Sequence, residues 1–219
     1  MDGREGSGEV DFERALDELP LFPLPGTVFF PNTLLPLHVF EPRYRQMTEQ
    51  VLASNGMLAV VLLQDGGGTL HKVAGLGRVI HQERLPDGRY HILLQGVGRV
   101  RLVEELPMDG LLYRRARARL LSDCDEDPEE VAAELKTLKA CYNHLLETSP
   151  EARAALGDLC ARIQDPGMLA DIICASVLDE PCTRQAALED TSVVGRLKRA
   201  SDALASALLV KMGDDGCVH

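Results

Sequence analysis

Tryptophan is absent, and five Phe and four Tyr make up only 4% of a 219-residue chain. A surface that stacks the bases of single-stranded nucleic acid normally carries more rings than that. Positive charge is scarce as well. The 23 Lys and Arg face 34 Asp and Glu, a net charge of −11, which disfavours a nucleic-acid partner. The six cysteines (Cys124, Cys141, Cys160, Cys174, Cys182 and Cys217) form no CxxC pair. Neither a disulfide framework nor a clustered zinc site is expected, and the cysteines read as reduced thiols, mostly small core residues. No apolar run approaches the ~20 residues that span a bilayer, so no membrane span is expected. The first residues, MDGREGSGEVDFERALDEL, are acidic and lack an apolar signal-peptide core, so the expected location is cytoplasmic.

The chemistry-bearing motifs are missing too. No GxxxxGK[ST] is present to cradle phosphates and no GxSxG elbow to hold a nucleophile. GVGRVR departs from GxGxxG and opens no helix, so it reads as strand, and no cofactor is expected. Cys141 and His144 stand at i, i+3 on a helical pattern, but no third group is evident to orient them. His38 with Glu41, and Cys217 with His219, supply two metal ligands each where a site needs three or four. All these pairs are read as structural. A hydrolytic cleft would need a convergent acid–base pair that the sequence does not display.

What is present falls into two halves of different period. LAVVLLQ (58–64) reads as a buried strand closed by the permissive loop DGGGT. VAGLGRVIHQER, the turn LPDG and RYHILLQ read as a hairpin, and GVGRVRLVEE extends its sheet. YRRARARLL sets Arg115, Arg117 and Arg119 on one strand face against Ala116, Ala118 and Leu120 on the other. Residues 72–119 carry 10 basic and 5 acidic side chains, a local reversal of the overall charge.

SDCDEDPEE then reads as an acidic linker that becomes a helix start, with Asp127 as N-cap and Pro128 at the first helical position. Val131, Leu135, Leu138, Tyr142 and Leu145 fall on one stripe of the helix that follows. SPEARAALGDLCARI, DPGMLADIICASVL and PCTRQAALE predict further helices. A last one from about Ser192 repeats Val194, Leu197, Ser201, Leu204 and Leu208. The expected fold class is α+β. Its parts are an acidic tail over 1–17, a β-rich unit over 18–122, a helical bundle over 123–212 and a C-terminal tail over 213–219.

Half of the twelve prolines sit in LPLFPLPGTVFFPNTLLPLHVFEPRYRQM (19–47), one of the most apolar stretches. Each proline drives its predecessor toward extended geometry, which predicts a strand entering and leaving a sheet edge. Glu41 ends it, Pro42 begins a helix carrying Tyr44, Met47, Val51 and Leu52 on one face, and Asn55-Gly56 closes that helix. Pro36, Glu41, Pro42, Tyr44 and Arg45 have an architectural reading. In it Glu41 and Arg45 pair at i, i+4 and Tyr44 anchors the core. Arg43 and His38, with neighbouring apolar residues, have an alternative reading as a recognition surface.

That stretch, with GLGRVI, LPDGRYHILLQGVGR and PGMLADIICASVL…RQAALEDTSVVGRLKR, resembles the substrate-binding N-terminal domain of Lon proteases over about residues 18–210. The resemblance implies a PUA-like β-barrel with one inserted helix, followed by an α-helical bundle. It also implies a non-enzymatic module that holds unfolded or degron-bearing protein clients, an adaptor for a separate protease or chaperone. Phe22, Phe29, Phe30, His38, Phe40 and Arg43 are the candidate protein-binding residues. The alternative is an RNA-binding face built on Arg115, Arg117 and Arg119.

Overall fold

A computed structural model describes residues 15–64, 68–150, 153, 157 and 159–214. The chain divides into two compact units, Met1–Leu121 and Ser122–His219. The N-terminal unit holds β1 (Leu19–Leu24), β2 (Leu34–Val39), α1 (Pro42–Ala53), β3 (Met57–Leu62), β4 (Val73–Arg84), β5 (Tyr90–Leu106) and β6 (Arg115–Leu121). Strand order is β2-β5-β4-β3-β1-β6, and β6 also pairs with β5. The pairings of β5, β4, β3, β1 and β6 therefore close on themselves, the barrel-like ring with an inserted helix that the resemblance implied. One 17-residue strand, β5, makes this work: Tyr90–Gln95 pair with β2, and Arg99–Leu106 pair with β6.

β1 and β3 feed two apolar layers because successive side chains point to opposite faces. Leu19, Leu21, Met57, Ala59, Val61, Leu76, Val100 and Ala116 fill one core. Phe22, Leu58, Val60, Ile92 and Leu94 fill the other, against Tyr44, Met47 and Val51 of α1. Both faces of β3 are covered, which is why its sequence is a continuous apolar run rather than an alternation. The segment Phe29–Pro31 lies directly on the sheet. A Cβ at Gly75 would stand 2.0 Å from the Phe29 carbonyl oxygen, and one at Gly96 would stand 2.1 Å from that of Phe30. The glycines of GLG and GVG thus permit a backbone approach that no side chain would allow.

The proline-rich stretch is two strands, not one. β2 is the expected edge strand, but β1 is internal, parallel to β3 and antiparallel to β6. It tolerates two prolines because of where they fall. Its pairing with β3 begins at Leu21, one residue after Pro20. The Leu21 amide donates to Arg114 O at 2.9 Å, so position 23 faces the same side. The register with β6 covers only Leu19 and Pro20, so Pro23 lies beyond it and leaves no unmet donor there.

The C-terminal unit contains α2 (Pro128–Thr148), α3 (Leu159–Arg162), α4 (Pro166–Val177), α5 (Pro181–Glu189) and α6 (Val193–Asp214). Six of the fifteen residues of the helix expected from SPEARAALGDLCARI lie outside the described residues, and α3 is its C-terminal turn. Acidic residues precede the prolines that open four helices of the chain: Glu41-Pro42, Asp127-Pro128, Asp165-Pro166 and Glu180-Pro181. Asp127 caps the Glu129 amide at 3.0 Å and Asp165 the Met168 amide at 2.6 Å. Each such cap contributes about 1 kcal/mol. Leu138, Tyr142, Leu169, Ile173, Leu188, Leu197 and Leu204 form the buried interior.

At the centre of this unit sits a charge. Arg196 is fully buried, with Nη1 and Nη2 each 2.8 Å from the two Asp123 oxygens and Nη1 2.9 Å from Asp190 O. Its Nε is 3.0 Å from Asp171 Oδ1 but off the N–H direction, so that contact is coulombic. Burial alone would lower the Arg196 pKa, yet the Asp123 hydrogen bonds and the Asp171 charge raise it above the usual value. Glu126 accepts from the Ser192 hydroxyl and the Val193 amide, both at 2.6 Å, at the start of α6. The acidic stretch read as a linker is therefore bonded to α6. The cysteines also differ from expectation: Cys174 is buried, Cys141 and Cys160 are half-buried, and Cys124 and Cys182 are exposed.

Candidate functional site

An open groove of about 730 Å³ runs beside the end of β1, the end of β2, the first turn of α1 and the β5–β6 connection. Phe22, Tyr44 and Tyr113 line it from the core side and are all buried. The Phe22 and Tyr44 rings pack tilted by 50° with centroids 4.3 Å apart, and the Tyr44 hydroxyl donates to Pro23 O at 3.4 Å. The Tyr113 hydroxyl donates to Gln50 Oε1 at 2.5 Å. Burial raises the pKa of both phenols, which keeps them neutral near physiological pH. The rim is apolar and open to solvent. Phe40 is 59% exposed, Leu112 53% and Met108 46%.

Two arginines border the groove, and each already has a carboxylate. Arg43 donates from Nε to Glu41 Oε2 at 2.9 Å and lies over the Tyr44 ring, 4.5 Å from its centroid. Arg114 grips Glu105 with both prongs at 2.8 and 2.6 Å and adds a bond from Nη1 to Gly68 O at 2.8 Å. The groove therefore offers apolar area with its charges internally matched. It is chemically suited to burying uncharged side chains rather than capturing an anion.

The strand edges beside the groove are poor in donors. Gly96 N donates to Thr33 O at 2.9 Å, which fixes the alternation of β2: Leu35, Leu37 and Val39 face β5, while Leu34, Pro36 and His38 face outward. Pro36 thus occupies an outward position of the free β2 edge, and Pro23 faces away from β3 at a position of β1 beyond its register with β6.

Residues 18–206 match the ATP-dependent protease La (LON) substrate-binding domain. The chain belongs to this family. Among curated relatives it is 31% identical to the Lon protease of Anaeromyxobacter dehalogenans over 191 residues, 82% of this chain and 22% of that protein. It is 30% identical to Lon protease 2 of Myxococcus xanthus over 202 residues, 87% of this chain and 24% of that protein. The chain spans about a quarter of the length of such relatives, and the family match is to the substrate-binding domain alone. The N-terminal domain of a Mycobacterium avium complex Lon protease superposes with a TM-score of 0.69 at 18% identity, covering 86% of this chain and 98% of that one. A Lon N-terminal domain protein from Xanthomonas campestris gives 0.60 at 19%, covering 83% and 95%. Both share the fold.

Within this LON substrate-binding domain the structure brings Phe22, His38, Phe40 and Arg43 together on the groove, with Glu41 and Tyr44 beside them. Phe29 and Phe30, the other two candidates, are 2% and 1% exposed and offer no surface to a client; they are core residues held by the glycine gaps. The expected Glu41–Arg45 pair is replaced by Glu41–Arg43, and the Arg45 guanidinium lies instead over Gly88 in the β4–β5 turn. Sequence reading missed Met108, Leu112 and Arg114, which reach the site from some seventy residues downstream; exposed apolar residues in a loop were the available signal. The arginine stripe is largely engaged. Arg115 meets Glu18 Oε2 at 2.6 Å and Arg117 meets Glu104 Oε2 at 3.0 Å, so phosphate would compete with carboxylates. Cys141 is half-buried and His144 exposed on α2, while Cys217 and His219 lie outside the described residues. Among the described residues no helix is long and apolar enough to cross a membrane.

Proposed function

We propose that this LON substrate-binding domain captures unfolded or degron-bearing polypeptide segments in the β1–β2 groove and acts without catalysis, as an adaptor in protein quality control. The observation that carries the reading is the rim: Phe40, Met108 and Leu112 stand exposed around a cavity large enough for several side chains. Exposed apolar residues that converge on one concavity mark a binding site more specifically than scattered ones do. Ordering a disordered client costs free energy, so a single segment binds weakly, and a separate protease or chaperone would receive the cargo.

The test is fluorescence anisotropy of a labelled, permanently unfolded polypeptide titrated with the protein, at two salt concentrations and with RNA as competitor. Saturable binding that survives salt and ignores RNA is expected. Failure to saturate at high micromolar protein would remove the reading. RNA binding that collapses with salt would move the function to the arginine stripe.

A further inference from the structure

The prolines around the groove bear on how a client is held. An extended chain can join a sheet edge by exchanging backbone hydrogen bonds, or it can lay side chains into a groove and leave its backbone unpaired. Strand addition needs donors and acceptors at alternate positions of the receiving edge. On β1, position 23 faces away from β3 and is proline, and its carbonyl already receives the Tyr44 hydroxyl at 3.4 Å. Pro25 follows without an N–H, its carbonyl 3.5 Å from the Thr27 hydroxyl. On β2, Leu37 and Val39 spend their amides on β5, and outward Pro36 has none. Among the described strand positions that line the groove, His38 is the one whose outward-facing amide still carries a hydrogen. Donor-poor edges of this kind resist strand pairing.

What the groove does offer is rings and alkyl surface: Phe22, Tyr44 and Tyr113 toward the core, and Phe40, Met108 and Leu112 at the rim. Arg43 and Arg114 are matched by Glu41 and Glu105, so a charged client gains nothing from them. We infer that the occupant is an uncharged, extended apolar segment held through its side chains, with its backbone amides unpaired. Prolines in the client are tolerated, and polyproline-like conformers enter as readily as β-like ones. The inference rests on the groove being the client site.

It is tested with two labelled peptides of one sequence, unstructured and uncharged, with Leu and Phe spaced among Ser and Gly. One is N-methylated at alternate backbone amides. Their dissociation constants agree within about twofold, because no client donor is used, whereas a strand-adding site would lose at least about tenfold from several missing hydrogen bonds. Phe40→Ala weakens both peptides equally. If the N-methylated peptide alone loses tenfold or more, strand addition holds the client and the inference is wrong while the groove reading stands. If neither peptide binds, or if Phe40→Ala changes nothing, the groove reading fails beneath it.

Discussion

The two units solve the problem of charge in opposite ways. In the N-terminal unit the pairs Arg43–Glu41 and Arg117–Glu104 lie at the surface, their side chains between 39% and 60% exposed, and among the described residues the two apolar cores hold no charged side chain, although Arg99 of β5 is itself buried. In the C-terminal unit the largest fully buried side chain among the described residues is Arg196, held by Asp123 and Asp171. Exposed pairs contribute roughly 0–1 kcal/mol each. Breaking a buried pair strands a charge that water cannot reach and costs about 3–5 kcal/mol. The helical unit therefore depends on its ions for folding. The β-rich unit is free to carry neutralised arginines and bare apolar residues on its surface, the residues proposed above for binding.

Substitutions separate the two regimes. The largest effect is expected for Arg196→Met, which leaves Asp171 without its cation and destabilises the helical unit by about 3–5 kcal/mol, read by urea unfolding followed by helical circular dichroism. A loss below 1 kcal/mol would mean that the network is not integral to the core. Next comes Gly75→Ala or Gly96→Ala, each placing a Cβ where the Phe29 or Phe30 carbonyl stands. About 3 kcal/mol is expected, the upper end of overpacking costs, from unfolding of the β-rich unit alone.

Glu126 gives a smaller, pH-dependent effect. Burial acts to raise its pKa, but the Ser192 hydroxyl and the Val194 and Val193 amides outweigh it and hold the carboxyl below its ordinary value of 4.5. Its contribution is thus fully present above that value and fades as pH falls through the lower folded-state pKa. Glu126→Gln should cost about 1 kcal/mol at neutral pH, as loss of a helix cap does. It should also flatten the acid limb of the stability curve; an unchanged limb would show that Glu126 is not a source of the pH dependence. Smallest of all, Arg117→Ser should move stability by less than about 0.5 kcal/mol and leave polypeptide binding intact. A tenfold loss of binding would return attention to the arginine stripe.

Local chemistry was the legible part. Asp127-Pro128 and Asp165-Pro166 announced helix starts, Asp87-Gly88 announced the β4–β5 turn, and the continuous run Leu58–Leu63 announced a strand buried on both sides. Contacts between distant residues were not legible. Asp123 and Glu126 look like solvated linker acids until Arg196 and Ser192 arrive from some seventy residues away. Phe29 and Phe30 resemble Phe40 in sequence, and only the bare Cα atoms of Gly75 and Gly96 decide that the first two are core. The prolines were read as shaping one edge strand, which holds for β2 but not for β1, made internal by its pairing with β6, a long-range fact with no local signature. Two of the three rim residues have the same origin, since Met108 and Leu112 lie in a loop that local patterns do not place.

The most direct measurement is an amide and methyl chemical-shift map of the isotopically labelled protein titrated with an unfolded polypeptide. Client capture in the groove predicts saturable shifts concentrated at Phe40, Met108, Leu112 and their neighbours, with Arg115–Arg119 and α6 unmoved. Shifts centred on β6 or confined to the helical unit would contradict it.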